Sequence, residues 1–136
     1  MTVVVDASVI VAALVDSGSD GEWAESMLAR EDLVAPHLMP VEVTNTLRRA
    51  VRSGDLSVDV AALAHGDLVR LRVDLFPYEP HAERVWTLRD NLTAYDAWYV
   101  ALAEVLDLPL VTLDRRVARA PGPQCEFRLP PMGPSQ

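Results

Sequence analysis

The sequence predicts an α/β fold in which helices lie on the faces of a central, mainly parallel sheet. Strand-like and helix-like segments alternate along its 136 residues, which is the pattern of repeated strand–helix units. Two short apolar runs, residues 3–5 and 110–113, lie at opposite ends of the chain, and each leads directly to an aspartate. A chain of this length is most simply one domain with its own core.

The first elements follow from valine-rich and helical patterns. A strand is expected at 2–6, followed by a largely apolar helix at 7–16. Serine and glycine at 17–21 indicate a loop. An amphipathic helix is then expected at 22–30, and a short strand at 33–35.

Two helices are expected in the middle of the chain. A proline in the first turn suits a helix at 40–53, and Gly54 suits its end. A second helix is expected at 57–70, and either Asp55 or Ser57 can cap it.

The remaining elements repeat the strand–helix pattern. A strand at 73–76 is stopped by a proline, and a helix at 80–90 begins at another proline. The helix at 93–106 is apolar nearly all round, so we expect it to be buried. A strand at 110–113 follows an Asp-Leu-Pro break, and a last edge strand is expected at 125–129.

Composition limits the possible functions. The formal net charge is −8 and every basic residue is an arginine, so the chain is not a typical general nucleic-acid binder. A single cysteine excludes an internal disulfide, and the three histidines have no partners at zinc-ligand spacing. No apolar stretch has the length of a membrane span, which favours a cytoplasmic protein with no membrane partner.

Asp6 and Asp114 are expected to lie close together. Each follows a predicted strand, and the carboxyl ends of neighbouring parallel strands meet at one edge of a sheet, where open α/β sheets bind ligands. Paired carboxylates at that edge form a candidate site for a hard divalent cation. The alternative for each residue is a helix N-cap, a position that aspartate favours.

Glu42 and Asp96 lie in the first turns of predicted helices. A purely structural role for Glu42 is a favourable interaction with the helix dipole, and Asp96 has capping-box spacing from Thr93. Capping and metal binding are compatible, because a carboxylate has two oxygens. Gathered acids repel one another and resist ionisation, and Mg²⁺ or Mn²⁺ would offset that repulsion.

Four segments resemble the motifs of PIN-domain ribonucleases, most closely those of VapC-type toxins from toxin–antitoxin pairs. They occur in the family's order and span nearly the whole chain: VVDASV at 4–9, PVEVTNTL at 40–47, YDAWYVALA at 95–103 and LPLVTLD at 108–114. The resemblance implies a PIN-like three-layer α/β/α sandwich, with residues 1–130 as the PIN domain. It also implies Mg²⁺-dependent cleavage of RNA, with Mn²⁺ able to substitute.

The resemblance assigns roles residue by residue. The catalytic acids would be Asp6, Glu42, Asp96 and Asp114. Of these, the metal ligands would be Asp6, Asp96 and Asp114. Polar groups that hold the acids in place would be Ser8, Asn45 and Thr112.

The resemblance also implies partners. Family toxins pair with a small VapB-type antitoxin, whose C-terminal segment occupies the active-site groove, and they form homodimers. An acidic groove would hold an antitoxin arginine well. Two arginine clusters are candidates for RNA contact, one at 48–52 and one after the last motif. We favour the second, which adjoins the site and comprises Arg115, Arg116 and Arg119.

These patterns predict a Mg²⁺-dependent endoribonuclease that acts as the toxin of a toxin–antitoxin pair. One alternative is an aspartyl-phosphate phosphatase, but such enzymes typically carry a second acid two residues after the first, where this chain has Ser8. Another is a catalytically silent PIN-like binding module that acts through a protein partner. The proline-rich residues 131–136 are expected to form a flexible tail.

Overall fold

Five strands form one sheet, and every pairing between neighbours is parallel. The computed structural model describes residues 1–132. The strands are β1 (Thr2–Val5), β2 (Asp32–Pro36), β3 (Asp74–Phe76), β4 (Leu110–Val111) and β5 (Phe127–Arg128). Their order across the sheet is β3-β2-β1-β4-β5. The predicted α/β class is confirmed, and β5 is an edge strand as expected.

Helices connect the strands and cover the sheet. They are α1 (Ala7–Val15), α2 (Ser19–Arg30), α3 (Met39–Ser53), α4 (Val58–Arg70), α5 (Ala82–Thr87), α6 (Ala94–Leu106) and α7 (Arg115–Arg119), with a 3₁₀ turn at Glu79–His81. The first four contact one another in pairs, and α5 packs on α6, which lies on β1, β2 and β4. Within residues 1–132, none of these helices combines the length and the apolar character needed to cross a bilayer.

The middle strand, β1, marks the point where the chain changes direction across the sheet. From β1 the chain steps outward to β2 and β3, then returns to place β4 and β5 on the other side. Val4 pairs with Leu110, and Val5 pairs with Val111. The carboxyl ends of β1 and β4 are therefore direct neighbours at a topological switch point, where doubly wound sheets bind ligands.

The second helix begins earlier than the sequence predicts. The loop was expected to extend to residue 21, but α2 starts at Ser19. The Asp16 carboxylate accepts a hydrogen bond of 2.7 Å from the Gly18 N–H, and the Gly18 carbonyl accepts one from Glu22. The turn therefore closes within three residues, and acidic side chains at 20 and 22 favour the start of the helix.

The helix expected at 80–90 is shorter than predicted. A 3₁₀ turn precedes α5, which ends at Thr87. The Thr87 hydroxyl donates to the carbonyls of Glu83 and Arg84, both at 2.9 Å. The hydroxyl thus competes with backbone N–H groups for the carbonyls of the last helical turn. After Thr87 the chain continues as turns in which an N–H bonds the carbonyl three residues earlier.

The C-terminal segment is tied down as far as residue 130. The carbonyl of Pro130, which is buried, accepts a 2.8 Å hydrogen bond from the Arg115 guanidinium. Met132 is exposed. Of the predicted tail, residues 133–136 lie outside the described residues, and the boundary at 130 stays a prediction.

Gly21 allows α1 and α2 to pack closely. A Cβ atom at this position would lie 1.8 Å from the carbonyl oxygen of Asp16. Gly21→Ala is therefore expected to destabilise the fold by about 2 kcal/mol, because a backbone atom cannot move aside cheaply. The midpoint of thermal unfolding should fall by roughly 5–10 °C.

Gly66 supplies the matched control for this prediction. It lies inside α4, and a Cβ there would meet only the flexible Arg70 guanidinium, at 3.5 Å. Gly66→Ala is expected to leave the melting temperature unchanged or to raise it, since alanine favours a helix over glycine. Equal melting of both variants would contradict the close packing at Gly21.

Candidate active site

The four predicted catalytic acids line one cavity at the carboxyl edge of the sheet. The cavity has a volume of about 440 Å³. β1 leads to Asp6, α3 supplies Glu42, the first turn of α6 supplies Asp96, and Asp114 follows β4. Side chains that are far apart in the sequence thus meet where the parallel strands end.

Asp6 is held by two hydroxyl groups. Ser8 Oγ and Thr112 Oγ1 both donate to Asp6 Oδ2, at 2.7 and 2.8 Å. Among the described residues, no side chain donates to Oδ1. Asp6 occupies the N-cap position of α1 but makes no side-chain cap bond. Its geometry therefore does not support the simple capping interpretation.

The same two hydroxyls join the ends of β1 and β4. Ser8 Oγ accepts from the Leu113 N–H at 3.2 Å, and Thr112 Oγ1 accepts from the Asp114 N–H at 3.0 Å. Because side chains take up these backbone donors, β4 ends at Val111 and not at residue 113 as predicted. Ser8 and Thr112 lie where the sequence placed them, in contact with the acids.

Asp114 does cap a helix. Its Oδ1 accepts a 2.9 Å hydrogen bond from the Arg116 N–H, and the Arg116 Nε atom lies 3.5 Å from the same oxygen. This bond starts α7, a short helix that was not among the predicted elements. The structural alternative is thus realised at Asp114, and its second oxygen remains available to the cavity.

Asp96 enters the cavity from a capped helix end. Thr93 is the N-cap of α6, and its hydroxyl accepts a 3.2 Å bond from the Asp96 N–H. Among residues 1–132, the reciprocal bond of a full capping box, from the Thr93 N–H to the Asp96 carboxylate, is not formed. Thr93 therefore performs the capping, and the Asp96 side chain lines the cavity.

Tyr99 is a site residue that the sequence reasoning missed. Its hydroxyl donates a 2.7 Å hydrogen bond to Glu42 Oε1, and its side chain is buried. Burial, followed by the Glu42 carboxylate, raises the pKa of Tyr99, so the hydroxyl stays a donor. Its position one helical turn after Asp96, on the same face, was the signal that could have identified it.

Burial and mutual repulsion make the carboxylates of the cavity harder to ionise. Burial raises the pKa of Asp6, and the charge of Asp114 adds to this effect. The pKa of Glu42 is raised by burial and then by Asp6 and Asp96, and that of Asp96 is raised by burial, Asp6 and Asp114. A cation in the cavity would relieve this repulsion.

The raised pKa of Asp96 gives a testable pH dependence. At pH values above 3.8, the ordinary pKa of aspartate, the folded chain binds a proton at Asp96 more strongly than the unfolded chain does. Stability is therefore lost as the pH rises through the raised pKa. In metal-free buffer, Asp96→Asn is expected to melt about 3–5 °C higher than the unchanged chain at pH 7.

The difference should shrink as the pH falls through the raised pKa and become small below 3.8, where Asp96 is protonated in both states. Differential scanning calorimetry across this range provides the measurement. Asp32→Asn, at the exposed first residue of β2 on the opposite edge of the sheet, should leave the melting temperature unchanged. An Asp96→Asn protein that melts no higher at pH 7 would rule out the proposed repulsion.

Not every predicted site residue meets the acids. Asn45 is exposed and lines a neighbouring cavity. Within the described residues, its side chain forms no hydrogen bond with a carboxylate. Arg115 bonds the Pro130 carbonyl, while Arg116 and Arg119 are exposed on α7. Only Arg116 of this cluster contacts one of the four acids, at Asp114.

The donor set fits a hard divalent cation. Every charged side chain that lines the cavity is a carboxylate, and carboxylate oxygens are ligands that suit Mg²⁺ and Mn²⁺. In residues 1–132, no three acidic, histidine or cysteine side chains lie close enough together to hold one metal ion as they stand. Mg²⁺ usually binds through one or two carboxylates and keeps several waters, so an open site of this kind is compatible with it.

Comparisons with known proteins agree with the fold and the motifs. The model of the PIN domain family matches residues 3–123. Ribonuclease VapC1 of Mycobacterium tuberculosis is 44% identical over 127 residues, covering 93% of this chain and 96% of that protein.

Solved structures have the same fold. PAE2754 from Pyrobaculum aerophilum superposes with a TM-score of 0.65 at 30% identity, covering 86% of this chain and 85% of that one. VapBC2 from Rickettsia felis, bound to a DNA fragment from their promoter, superposes with a TM-score of 0.64 at 12% identity, with 95% and 98% coverage. At that identity the second likeness concerns the fold alone.

Proposed function

The chain belongs to the PIN-domain family and groups with its VapC ribonucleases, and from that premise we propose that it is an Mg²⁺-dependent endoribonuclease. It would act in the cytoplasm as the toxin of a toxin–antitoxin pair. The observation that carries this proposal is the gathering of Asp6, Glu42, Asp96 and Asp114 around one cavity at the switch point of the sheet.

Asp6, Asp96 and Asp114 would hold the cation. Asp6 Oδ1 would be the oxygen left for the cation, because both hydroxyl partners bind Oδ2. Asp114 offers the oxygen that does not cap α7. When bound, a divalent cation lowers the pKa of a water molecule and neutralises charge on a phosphoryl oxygen.

Glu42 would serve the attacking water. Tyr99 donates a hydrogen bond to one of its oxygens, and burial raises the pKa of Glu42, which favours its uptake of a proton from the water. The water oxygen forms a bond to phosphorus while the bond between phosphorus and the departing nucleotide's oxygen breaks. One proton of the water would pass to Glu42, and the departing oxygen would take up a proton from solvent.

The test compares RNA cleavage by the purified chain in Mg²⁺, in Mn²⁺ and in excess EDTA. We expect cleavage with either ion and none in EDTA, with recovery when Mg²⁺ is restored. Binding has a separate readout, since Mg²⁺ should raise the melting temperature of the chain. Equal cleavage with and without EDTA would refute the metal requirement.

The proposed partners follow from the same acidic cavity. A VapB-type antitoxin would place an arginine among the carboxylates. Its guanidinium would donate two charge-assisted hydrogen bonds to a carboxylate and offset the repulsion between the acids. The toxin would be a homodimer, and residues 1–130 would form its folded unit, held at the end by the Arg115 bond to Pro130. Co-expression with a cognate VapB-type antitoxin should yield an inactive complex.

The alternative is a catalytically silent PIN-like module that acts through a protein partner. The observation that favours it is that, among the described residues, no three acidic, histidine or cysteine side chains are placed to hold one metal ion. The two proposals differ in one experiment. Growth inhibition that persists after Asp6→Asn would support the silent module, whereas its loss supports the nuclease.

A further inference from the structure

A second cavity opens beside the acidic one. It has a volume of about 470 Å³ and lies between α3 and the start of α6. Glu42 and Thr46 line both cavities. An RNA strand whose phosphate lies among the carboxylates would therefore carry a neighbouring nucleotide into the second cavity.

Tyr95 provides an aromatic surface in this second cavity. Its side chain is 58% exposed, so the ring is accessible to a ligand. It directly precedes Asp96, so the ring and the carboxylate belong to the same first turn of α6. Exposed aromatic rings of this kind stack on unpaired bases without regard to their sequence.

Asn45 and Arg49 add polar groups to the same cavity. They are four residues apart on α3 and therefore share one face of the helix. Both are exposed, and within residues 1–132 neither side chain forms a hydrogen bond or an ion pair. An amide offers a donor and an acceptor to a base edge, and a guanidinium suits a phosphate.

We propose that this second cavity is a subsite for one unpaired nucleotide next to the scissile phosphate. Tyr95 stacks on the base, Asn45 hydrogen-bonds its edge, and Arg49 contacts the phosphate beyond it. The inference rests on the proposed function, because it takes the acidic cavity as the place of cleavage. It gives an acidic chain a local means of holding RNA beside its carboxylates.

The first experiment measures binding without cleavage. Short single-stranded RNA homopolymers are titrated by fluorescence anisotropy in Mg²⁺, in an Asp6→Asn background. Adding Tyr95→Ala should raise Kd about tenfold or more, whereas Tyr95→Phe, which keeps the ring, should stay within about twofold. Trp86→Ala is the matched control, because this exposed aromatic lines neither cavity and should leave Kd unchanged.

Arg49 and Asn45 are tested in parallel. Arg49→Ala should weaken binding to all four homopolymers, whereas Arg72→Ala, at the opposite edge of the sheet, should not. In the otherwise unchanged chain, Asn45→Ala should flatten the base preference at one position beside the cut in a random RNA pool. Overall cleavage of the pool should continue.

The outcomes separate the two proposals. RNA that is bound through Tyr95 but never cut would refute the nuclease and support the subsite. RNA that Tyr95→Ala binds and cuts like the unchanged chain would overturn the subsite and leave the nuclease intact. Absence of any Tyr95-dependent binding likewise overturns the subsite.

Discussion

Asp6→Asn is expected to abolish RNA cleavage, with kcat/KM at least about a thousandfold below that of the unchanged chain. The change removes the charge of the acid at the end of β1, the strand that pairs with β4. An asparagine oxygen can still accept from Ser8 and Thr112, so the ends of β1 and β4 remain joined. The fold should persist, because the substitution also removes a buried carboxylate whose pKa is raised by burial.

Single-turnover cleavage assays and thermal melts together provide the measurement. Asp32→Asn is the matched control, since it makes the same chemical change at the opposite edge of the sheet and should retain full activity. The melting temperature of Asp6→Asn should equal or exceed that of the unchanged chain. An Asp6→Asn protein that is well folded and cuts RNA at an undiminished rate would refute the assigned site.

Glu104→Ala is expected to cause the largest loss of stability, about 2–4 kcal/mol. Glu104 accepts two bonds from Arg84, at 2.6 and 3.0 Å, and a third from the Gln124 N–H at 2.7 Å. Arg84 also donates to the Gly122 carbonyl. This network joins α5, α6 and the loop before β5, and the substitution would leave its donors unpaired.

Thermal and urea unfolding measure the effect, which should lower the melting temperature by roughly 10 °C. Asp67→Ala is the control, because it breaks an exposed ion pair with Arg70 and should cost less than about 0.5 kcal/mol. The side chains of Glu104 and Arg84 are only 14% and 31% exposed. Similar losses in the two variants would contradict this account.

The contribution of Glu104 to the stability of the fold depends on pH in the opposite sense to that of Asp96. Burial acts to raise the pKa of Glu104, but the bonds from Arg84 and Gln124 outweigh it and hold the pKa below the ordinary 4.5. The stabilisation is therefore present above pH 4.5 and is lost as the pH falls through the lowered pKa. The difference between Glu104→Ala and the unchanged chain should disappear in acid.

The elements with strong local signals could be predicted from the sequence. Valine-rich runs ending at aspartates, a proline-started helix and the apolar α6 all lie within a few residues of their predicted bounds. The pairing of β1 with β4 could be proposed from the general rules for parallel sheets but did not follow from them alone. The patterns indicated only Asp6 and Asp114 at that edge, and the resemblance to a known family added Glu42 and Asp96.

Features that depend on tertiary contacts could not be predicted in the same way. The early end of β4 depends on hydroxyls that arrive from both ends of the chain, at Ser8 and Thr112. The Tyr99 bond to Glu42 joins residues 57 positions apart. Asn45 was expected beside the acids because it follows Glu42 by three positions, but a small rotation along α3 turns it towards the neighbouring cavity.

The bond between Thr112 and Asp6 spans 106 residues of sequence, and this separation determines when the site can exist. During synthesis, β1 emerges first but cannot pair with β4 until nearly the whole chain has been made. A chain that stops before residue 110 carries Asp6, Glu42 and Asp96 but lacks the strand and hydroxyl that bring Asp6 into register. Interrupted translation is therefore expected to leave fragments in which the acidic cavity is incomplete, because Thr112 and the last two strands are made at the end of synthesis.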